Sequence, residues 1–221
     1  MLLFRAFSIN KGMMKMNFTQ LDYHWFQLIN QFGSTLPILN PIMRLLASYA
    51  EYVFYIGIVI YWFTRHDGKR RMVAESLLSA CVAVSFSGLL AHFFYRDRPF
   101  VTHNVIQLIS HPANASFPSD HAIGAFVIAT SIWIHHRKDG KLWLVLAAGI
   151  AFSRIWTGVH YPSDVIAGAV IGITAAVLIN QVFRRSSLAL KWLTKFIYWY
   201  EAVESRIWRR NEAPQSSVNK L

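Results

Sequence analysis

The sequence predicts an all-α fold: a polytopic membrane helix bundle of about five transmembrane helices with an interfacial helix at each end. Three observations predict it. The 221 residues are 54% hydrophobic at a mean hydropathy of +0.32, too apolar for an ordinary soluble domain. The apolar residues gather into five runs, each near the ~20 residues that cross a bilayer. Most of the basic residues fall between runs and on one side. Eight Trp and nine Tyr suit aromatic belts at both interfaces.

Taken in order, residues 1–40 form a leader and an outer interfacial helix. Residues 1–15 read as a translated leader with Met16 as the natural start, or as a weak signal peptide lacking an Ala-x-Ala-like site. Leu21, Trp25, Leu28, Ile29 and Phe32 recur at helical spacing, either lying in the interface or packing on the bundle. The transmembrane bundle occupies 41–185, with spans at roughly 45–64, 72–95, 119–136, 142–159 and 162–183. The third and fourth are short, so their polar ends belong at the bilayer surface. Residues 186–221 supply an amphipathic helix, with Leu193, Phe196, Ile197, Tyr200, Val203 and Ile207 on one face, and a disordered tail from 211.

Orientation follows from charge. Loops 65–71 and 137–141 and the segment 184–221 hold 15 of the 22 Lys and Arg residues, so that side, including the C-terminus, is expected to be cytoplasmic. The net charge of +11 is spread between spans rather than over one patch. This argues for anionic lipid headgroups as partners and against nucleic acid. The single cysteine, Cys81, excludes an internal disulfide and is expected to be a small packed residue.

Three polar clusters end membrane-length runs on the side opposite the basic loops: Arg98-Pro99, then Pro118-Ser119-Asp120-His121, then Ser153-Arg154 with His160 and Asp164. The third is the most specific, because a capping Asp and an interface His would not explain an arginine ending an apolar helix. Its chemistry is phosphoryl transfer. His160 attacks phosphorus, while Asp164 fixes the ring tautomer and stabilises the developing charge. Arg154 presents a planar fork to phosphate oxygens. In the second cluster Ser119 is a natural N-cap at a helix N-terminus that can receive an anion, and His121 is placed to protonate a leaving oxygen. Arg98 is a further cation converging on phosphate, or, taken alone, a snorkelling interface arginine.

Together these residues resemble the type 2 phosphatidic acid phosphatase superfamily, whose pattern is Lys-x6-Arg-Pro, Pro-Ser-Gly-His and Ser-Arg-x5-His-x3-Asp. The match runs from about residue 91 to 164. The resemblance implies catalytic roles for His160 (nucleophile, forming a phosphohistidine), His121 (general acid) and Asp164 (orienter). It implies phosphate contacts from Arg98, Ser119 and Arg154, and no cofactor or metal. Two positions depart from the pattern: Ala91 stands at the family lysine, with Arg96 out of register as a substitute, and Asp120 stands at the glycine. The strings Phe94-Tyr95-Arg96-Asp97-Arg98-Pro99-Phe100, Ser116-Phe117-Pro118-Ser119-Asp120-His121 and Phe152-Ser153-Arg154-Ile155-Trp156 look like the bacitracin-resistance branch. That branch implies a bacterial cell-membrane undecaprenyl-diphosphate phosphatase with its site facing outward. Its substrate would be a polyprenyl diphosphate, and its product would return the cell-wall lipid carrier.

His92, His103 and His111 lie on or near the outer side and read as solvated loop residues, with substrate or metal binding as the alternative, and Glu51 and Glu75 are costly inside or near spans without an assigned role. Rival readings are a phosphatase for other lipid phosphates, such as phosphatidate or phosphatidylglycerophosphate, and a transporter. A transporter would place its ionisable residues near the bilayer midplane.

Overall fold

A computed structural model describes residues 17–64 and 67–209; residues 1–16 and the tail from 210, on which the leader and disordered-tail expectations rest, lie outside them. The regular structure among the described residues is entirely helical. The helices are α1 (Phe18–Asn30), α2 (Phe32–Thr35), α3 (Asn40–Ser48), α4 (Ala50–Phe63), α5 (Asp67–Phe93), α6 (Pro99–Thr102), α7 (Asp120–His135), α8 (Arg137–Trp156), α9 (Pro162–Arg185) and α10 (Ser187–Arg209).

The five expected spans correspond to α3–α4, α5, α7, α8 and α9, with informative differences. Helix α5 from Gly68 and helix α9 are long and apolar enough to cross a membrane alone; the segment through α3 and α4, bent by 46° at the break, makes a third. The bend falls at Tyr49, whose backbone (φ −129°, ψ −19°) leaves the helical region. Helix α7 has 16 residues, about 24 Å at the helical rise, and is the central element, packed on α5, α8 and α9. The basic residues expected in loops 65–71 and 137–141 lie instead partly in helix. Arg70 and Arg71 extend α5, and Arg137, Lys138 and Lys141 begin α8. Helices starting in the headgroup layer satisfy their first carbonyls internally and let long basic side chains reach water.

Close approach of α9 to α7 rests on two glycines. A Cβ at Gly168 would lie 2.6 Å from the Ser119 carbonyl, and one at Gly172 2.7 Å from that of Ile123. This small-x3-small spacing lets backbones touch where no hydrophobic effect drives helices together. Between the helices sit Ala122, Ile123, Val127, Ala175 and Ala176, all buried, while large apolar side chains such as Ile56 on α4, Leu77 on α5, Val170 on α9 and Trp192 on α10 face outward. Cys81 is among the outward residues, exposed rather than packed. Small residues at helix contacts leave the outer face of α5 to lipid, and Cys81 falls on that face.

The two flanking helices dock on the bundle. Helix α1 buries Asp22, Phe26 and Asn30, whereas Trp25, Leu28 and Phe32 of its expected apolar stripe are exposed. Asn30 donates to the carbonyls of Ile106 and Trp156, both at 2.9 Å, and accepts from the Ile106 N–H. At the opposite end, buried Arg70 donates to Glu201 at 2.9 Å and Glu204 at 2.6 Å, beside Trp62 and Tyr200. Leu193 and Ile197 of α10 are buried there with Ala74 and Phe183.

Candidate active site

All six residues singled out in the sequence come to one end of the bundle, built from the ends of α5, α8 and the starts of α7 and α9. His160 is delivered by the way α8 stops. Gly158 adopts φ +82°, a conformation that a Cβ makes costly. Its N–H bonds back to Ile155, and the N–H groups of Val159 and His160 bond to the Arg154 carbonyl. The chain thus reverses over a few residues and enters α9 at Pro162. Helix α9 is then tied to α7 by a Ser119 N–H to Asp164 carbonyl bond of 3.1 Å.

The His160 ring is buried, and its two nitrogens have distinct surroundings. Nε2 lies 2.9 Å from an Arg98 Nη1. A guanidinium can only donate, so Nε2 is the bare, lone-pair nitrogen and the proton sits on Nδ1. Nδ1 faces Asp164 Oδ2 and Ser116 Oγ, each at 3.5 Å. Burial, with Arg154 and Arg98 close by, pushes the His160 pKa well below the ordinary histidine value. The ring is therefore neutral, with its lone pair available at physiological pH.

Asp164 is fully buried and held from several directions. Its Oδ2 accepts from Ser116 Oγ at 2.6 Å and from the Tyr161 N–H at 2.8 Å, and its Oδ1 accepts from Arg96 at 3.3 Å. Arg96 also donates to Ser163 Oγ at 2.8 Å and pairs with Asp22 at 2.7 Å, and its guanidinium lies 3.6 Å from the centre of the Tyr161 ring. Arg96 is the out-of-register cation considered for the missing family lysine at Ala91. Its guanidinium is committed to the Asp22–Ser163–Asp164 side, behind the Nδ1 face of His160.

The expected phosphate contacts separate into two kinds. Arg98 is heavily engaged, donating to Asn114 Oδ1 at 3.0 Å, Val159 O at 3.0 Å and Ala115 O at 3.1 Å besides His160. Arg154 and Ser119 are not. Arg154 is 1% exposed and donates from Nη1 to Ala47 O at 2.7 Å, but its Nε and Nη2 have no partner, and neither does the buried Ser119 Oγ. Ser119 does occupy the N-cap position, yet its hydroxyl does not cap α7, contrary to the expectation. Buried unpaired donors, above all on a guanidinium, are costly unless an anion completes them.

Several groups to which the sequence reading gave no role share this end. His121 Nε2 lies 3.3 Å from Glu51 Oε2. The His111 ring centre is 6.4 Å from that of His121 and 6.2 Å from that of His160, so His111 is part of the cluster rather than a solvated loop residue. Burial, then Arg98 and Arg154, lowers its pKa, while a bond to the Pro112 carbonyl raises it. Asp120, the departure at the family glycine, accepts from Ser87 on α5 at 2.6 Å, linking α7 to its neighbour. Asp22 and Glu51 belong to no local motif, and Ser116, though inside a quoted string, had no assigned role, since each meets a partner distant in sequence.

A membrane helix bundle that gathers this pair of histidines, an aspartate and two guanidiniums at one end is a membrane-embedded phosphatase. The chain belongs to the PAP2 superfamily, whose family model matches residues 73–188. It is 39% identical over 193 residues to the "bacitracin transport permease protein BcrC" of Bacillus licheniformis, covering 87% of this chain and 93% of the relative. It is 30% identical over 190 residues to the "undecaprenyl-diphosphatase BcrC" of Bacillus subtilis, covering 86% and 97%. Among solved structures it is similar to Aquifex aeolicus LpxE, with a TM-score of 0.59, 28% identity, and 73% and 95% coverage. A PAP2-type phosphatidylglycerolphosphate phosphatase from Bacillus subtilis shares the fold, with a TM-score of 0.57, 24% identity, and 80% and 92% coverage.

Proposed function

We propose that this protein hydrolyses undecaprenyl diphosphate to undecaprenyl phosphate and inorganic phosphate through a phosphohistidine on His160. The reaction recycles the cell-wall lipid carrier and so opposes bacitracin. The observation that carries the reading is the pairing of a neutral, lone-pair Nε2 on His160 with the unpartnered donors of Arg154 and Ser119. A nucleophile and an unfilled anion cradle converge at one membrane end.

In the first step the Nε2 lone pair attacks the terminal phosphorus as the bond to the bridging oxygen breaks. His121 gives that oxygen a proton. Asp164, fixed by Ser116, Tyr161 and Arg96, steadies the Nδ1–H and the positive charge that the ring gains. Arg154, Ser119 and Arg98 take the charge on the phosphoryl oxygens, and Arg98 swings one N–H from Nε2 to an oxygen as the lone pair is used. In the second step water attacks the phosphohistidine, its proton returns to His121, and the P–N bonding pair returns to Nε2.

The positive-inside distribution supports an inner-membrane protein with this end facing outward and the C-terminus in the cytoplasm. The lipid tail would run between helices from a headgroup at that surface. The word "permease" in one relative's name raises transport as a second reading, but the titratable cluster sits at one end of the bundle rather than at its middle. Phosphate release from undecaprenyl diphosphate, with phosphatidate and phosphatidylglycerophosphate as competitors, tests the proposal with and without chelator. We expect release by the wild type, unaffected by chelator, and none by His160→Ala. Release by His160→Ala, or bacitracin export without hydrolysis, would remove the reading.

A further inference from the structure

Glu51 is a carboxylate on a helix that is otherwise apolar from Ala50 to Phe63. An ionisable residue on such a helix is costly and needs a reason. The fold presents it deliberately. The break at Tyr49 starts α4 afresh, with Glu51 in its first turn, and Ala47, two residues before the break, gives its carbonyl to Arg154. The same interruption is therefore joined to the phosphate-facing arginine on one side and to His121 on the other. Glu51 and His121 are each about a quarter exposed, with Oε2 and Nε2 3.3 Å apart. A small cavity of about 30 Å³ beside them, lined by Phe54, Tyr55, Gly124 and Ile128 among others, has room for about one or two waters.

The charged groups around His121 explain the need. Burial is the largest effect opposing a positive imidazole there, and Arg154, His160, His111 and Arg98 add to it from α8 and the loops. Asp120, its neighbour in sequence, is exposed and accepts from Ser87, and Tyr55, one turn along α4, hydrogen-bonds with Glu51. Without an anionic substrate, a proton donor enclosed by two guanidiniums gives up its proton; once the negative charge of the substrate offsets them, a carboxylate facing it favours the charged form.

We infer that Glu51 is a positioning residue for the proton donor, holding the His121 ring in a fixed orientation and favouring its protonated form once the anionic substrate is bound. The inference rests on the phosphatase reading above. An imidazolium has two N–H groups, so one rests on Glu51 while the other meets the leaving oxygen. The proton passes from His121 to that oxygen as the P–O bond breaks, and the attacking water restores it, so Glu51 keeps its charge throughout.

The test is the pH dependence of kcat and KM on undecaprenyl diphosphate for wild type, Glu51→Gln and Glu51→Asp. Removing the carboxylate makes His121 lose its proton at lower pH. The alkaline limb of Glu51→Gln should therefore move down by roughly one pH unit, since an opposite charge at this range is worth about 1–3 units. Its kcat should fall ~10-fold at pH 8 and recover toward pH 5.5, with KM little changed. Glu51→Asp should restore most of the wild-type profile. The loss should be larger on an alkyl phosphate monoester than on the diphosphate, because an alkoxide needs the proton more. An unmoved limb in Glu51→Gln, or a loss equal at every pH, overturns the inference, provided wild type turns over and His160→Ala is dead. If wild type releases no phosphate, or His160→Ala still does, the phosphatase reading falls first and this inference falls with it.

Discussion

Gly168→Ala tests whether the contact between α9 and α7 sets the geometry of catalysis. The added methyl would sit 2.6 Å from the Ser119 carbonyl oxygen and 3.0 Å from the Ala122 Cβ. Ordinary contact begins near 3.4 Å, and both obstacles are fixed by the helix backbone, so the helices must part by about 0.8 Å, on the scale at which misplaced groups cost catalysis. That movement takes the 3.1 Å Ser119 N–H to Asp164 carbonyl bond out of range. It also carries His160 and Asp164 away from Ser119 and His121. Misplacement of this order costs roughly 10²-fold in rate. Overpacking costs about 1–3 kcal/mol, offset by the ~0.5–1 kcal/mol that alanine gains over glycine in a helix. We expect kcat for phosphate release to fall ~10–10²-fold and thermal unfolding in detergent to show a net loss of about 1–2 kcal/mol. Gly88→Ala is the control: its Cβ meets nothing within 4 Å, so it should be silent or slightly stabilising. Wild-type turnover by Gly168→Ala, or an equal loss in Gly88→Ala, would refute the reasoning.

Other outcomes follow from the same geometry. Because burial and then Arg154 and Arg98 lower the His160 pKa, histidine ¹⁵N NMR should show this ring neutral and Nδ1-protonated down to about pH 6; an imidazolium signal from it near pH 6.5 would contradict the site. The unfolded chain then binds a proton that the folded chain does not, so this residue's stability contribution is intact above about pH 6.5 and is lost as pH falls below it. Arg96→Ala should lower kcat about 10-fold with little change in KM, since Arg96 grips Asp164 rather than phosphate, and a rise in KM alone would mark it as a phosphate ligand. Replacing Glu201 and Glu204 with Gln leaves Arg70 buried without a counter-charge. It should cost about 3 kcal/mol in unfolding measurements while kcat in the surviving folded protein stays near wild type.

The membrane character and the groups proposed to react were legible because each depends on local properties. Hydrophobic runs, basic loops and the spacing from Ser153 to Asp164 are read along the chain without knowing how it packs. Helix ends were less legible. Where α5 and α8 start depends on how far lysines and arginines reach past the apolar layer, and where α8 stops depends on one glycine, Gly158, in a left-handed conformation. The apolar stripe on α1 pointed outward because the bundle buries Asp22 and Asn30 instead, and polar groups inside a membrane protein follow partners that no periodicity records.

The amino-acid order by itself determined an all-helical membrane bundle and marked the histidine, aspartate and arginines proposed here as nucleophile, orienter and phosphate ligands. Each of these is a property of residue type and spacing along the chain. Only the tertiary structure decided that Arg96 braces Asp164 through Asp22 and Tyr161, that His111 joins the cluster, and that Glu51 faces His121. These pairs join residues dozens of positions apart, brought within hydrogen-bond reach only because α9 closes on α7 at Gly168 and Gly172 and α4 restarts after Tyr49.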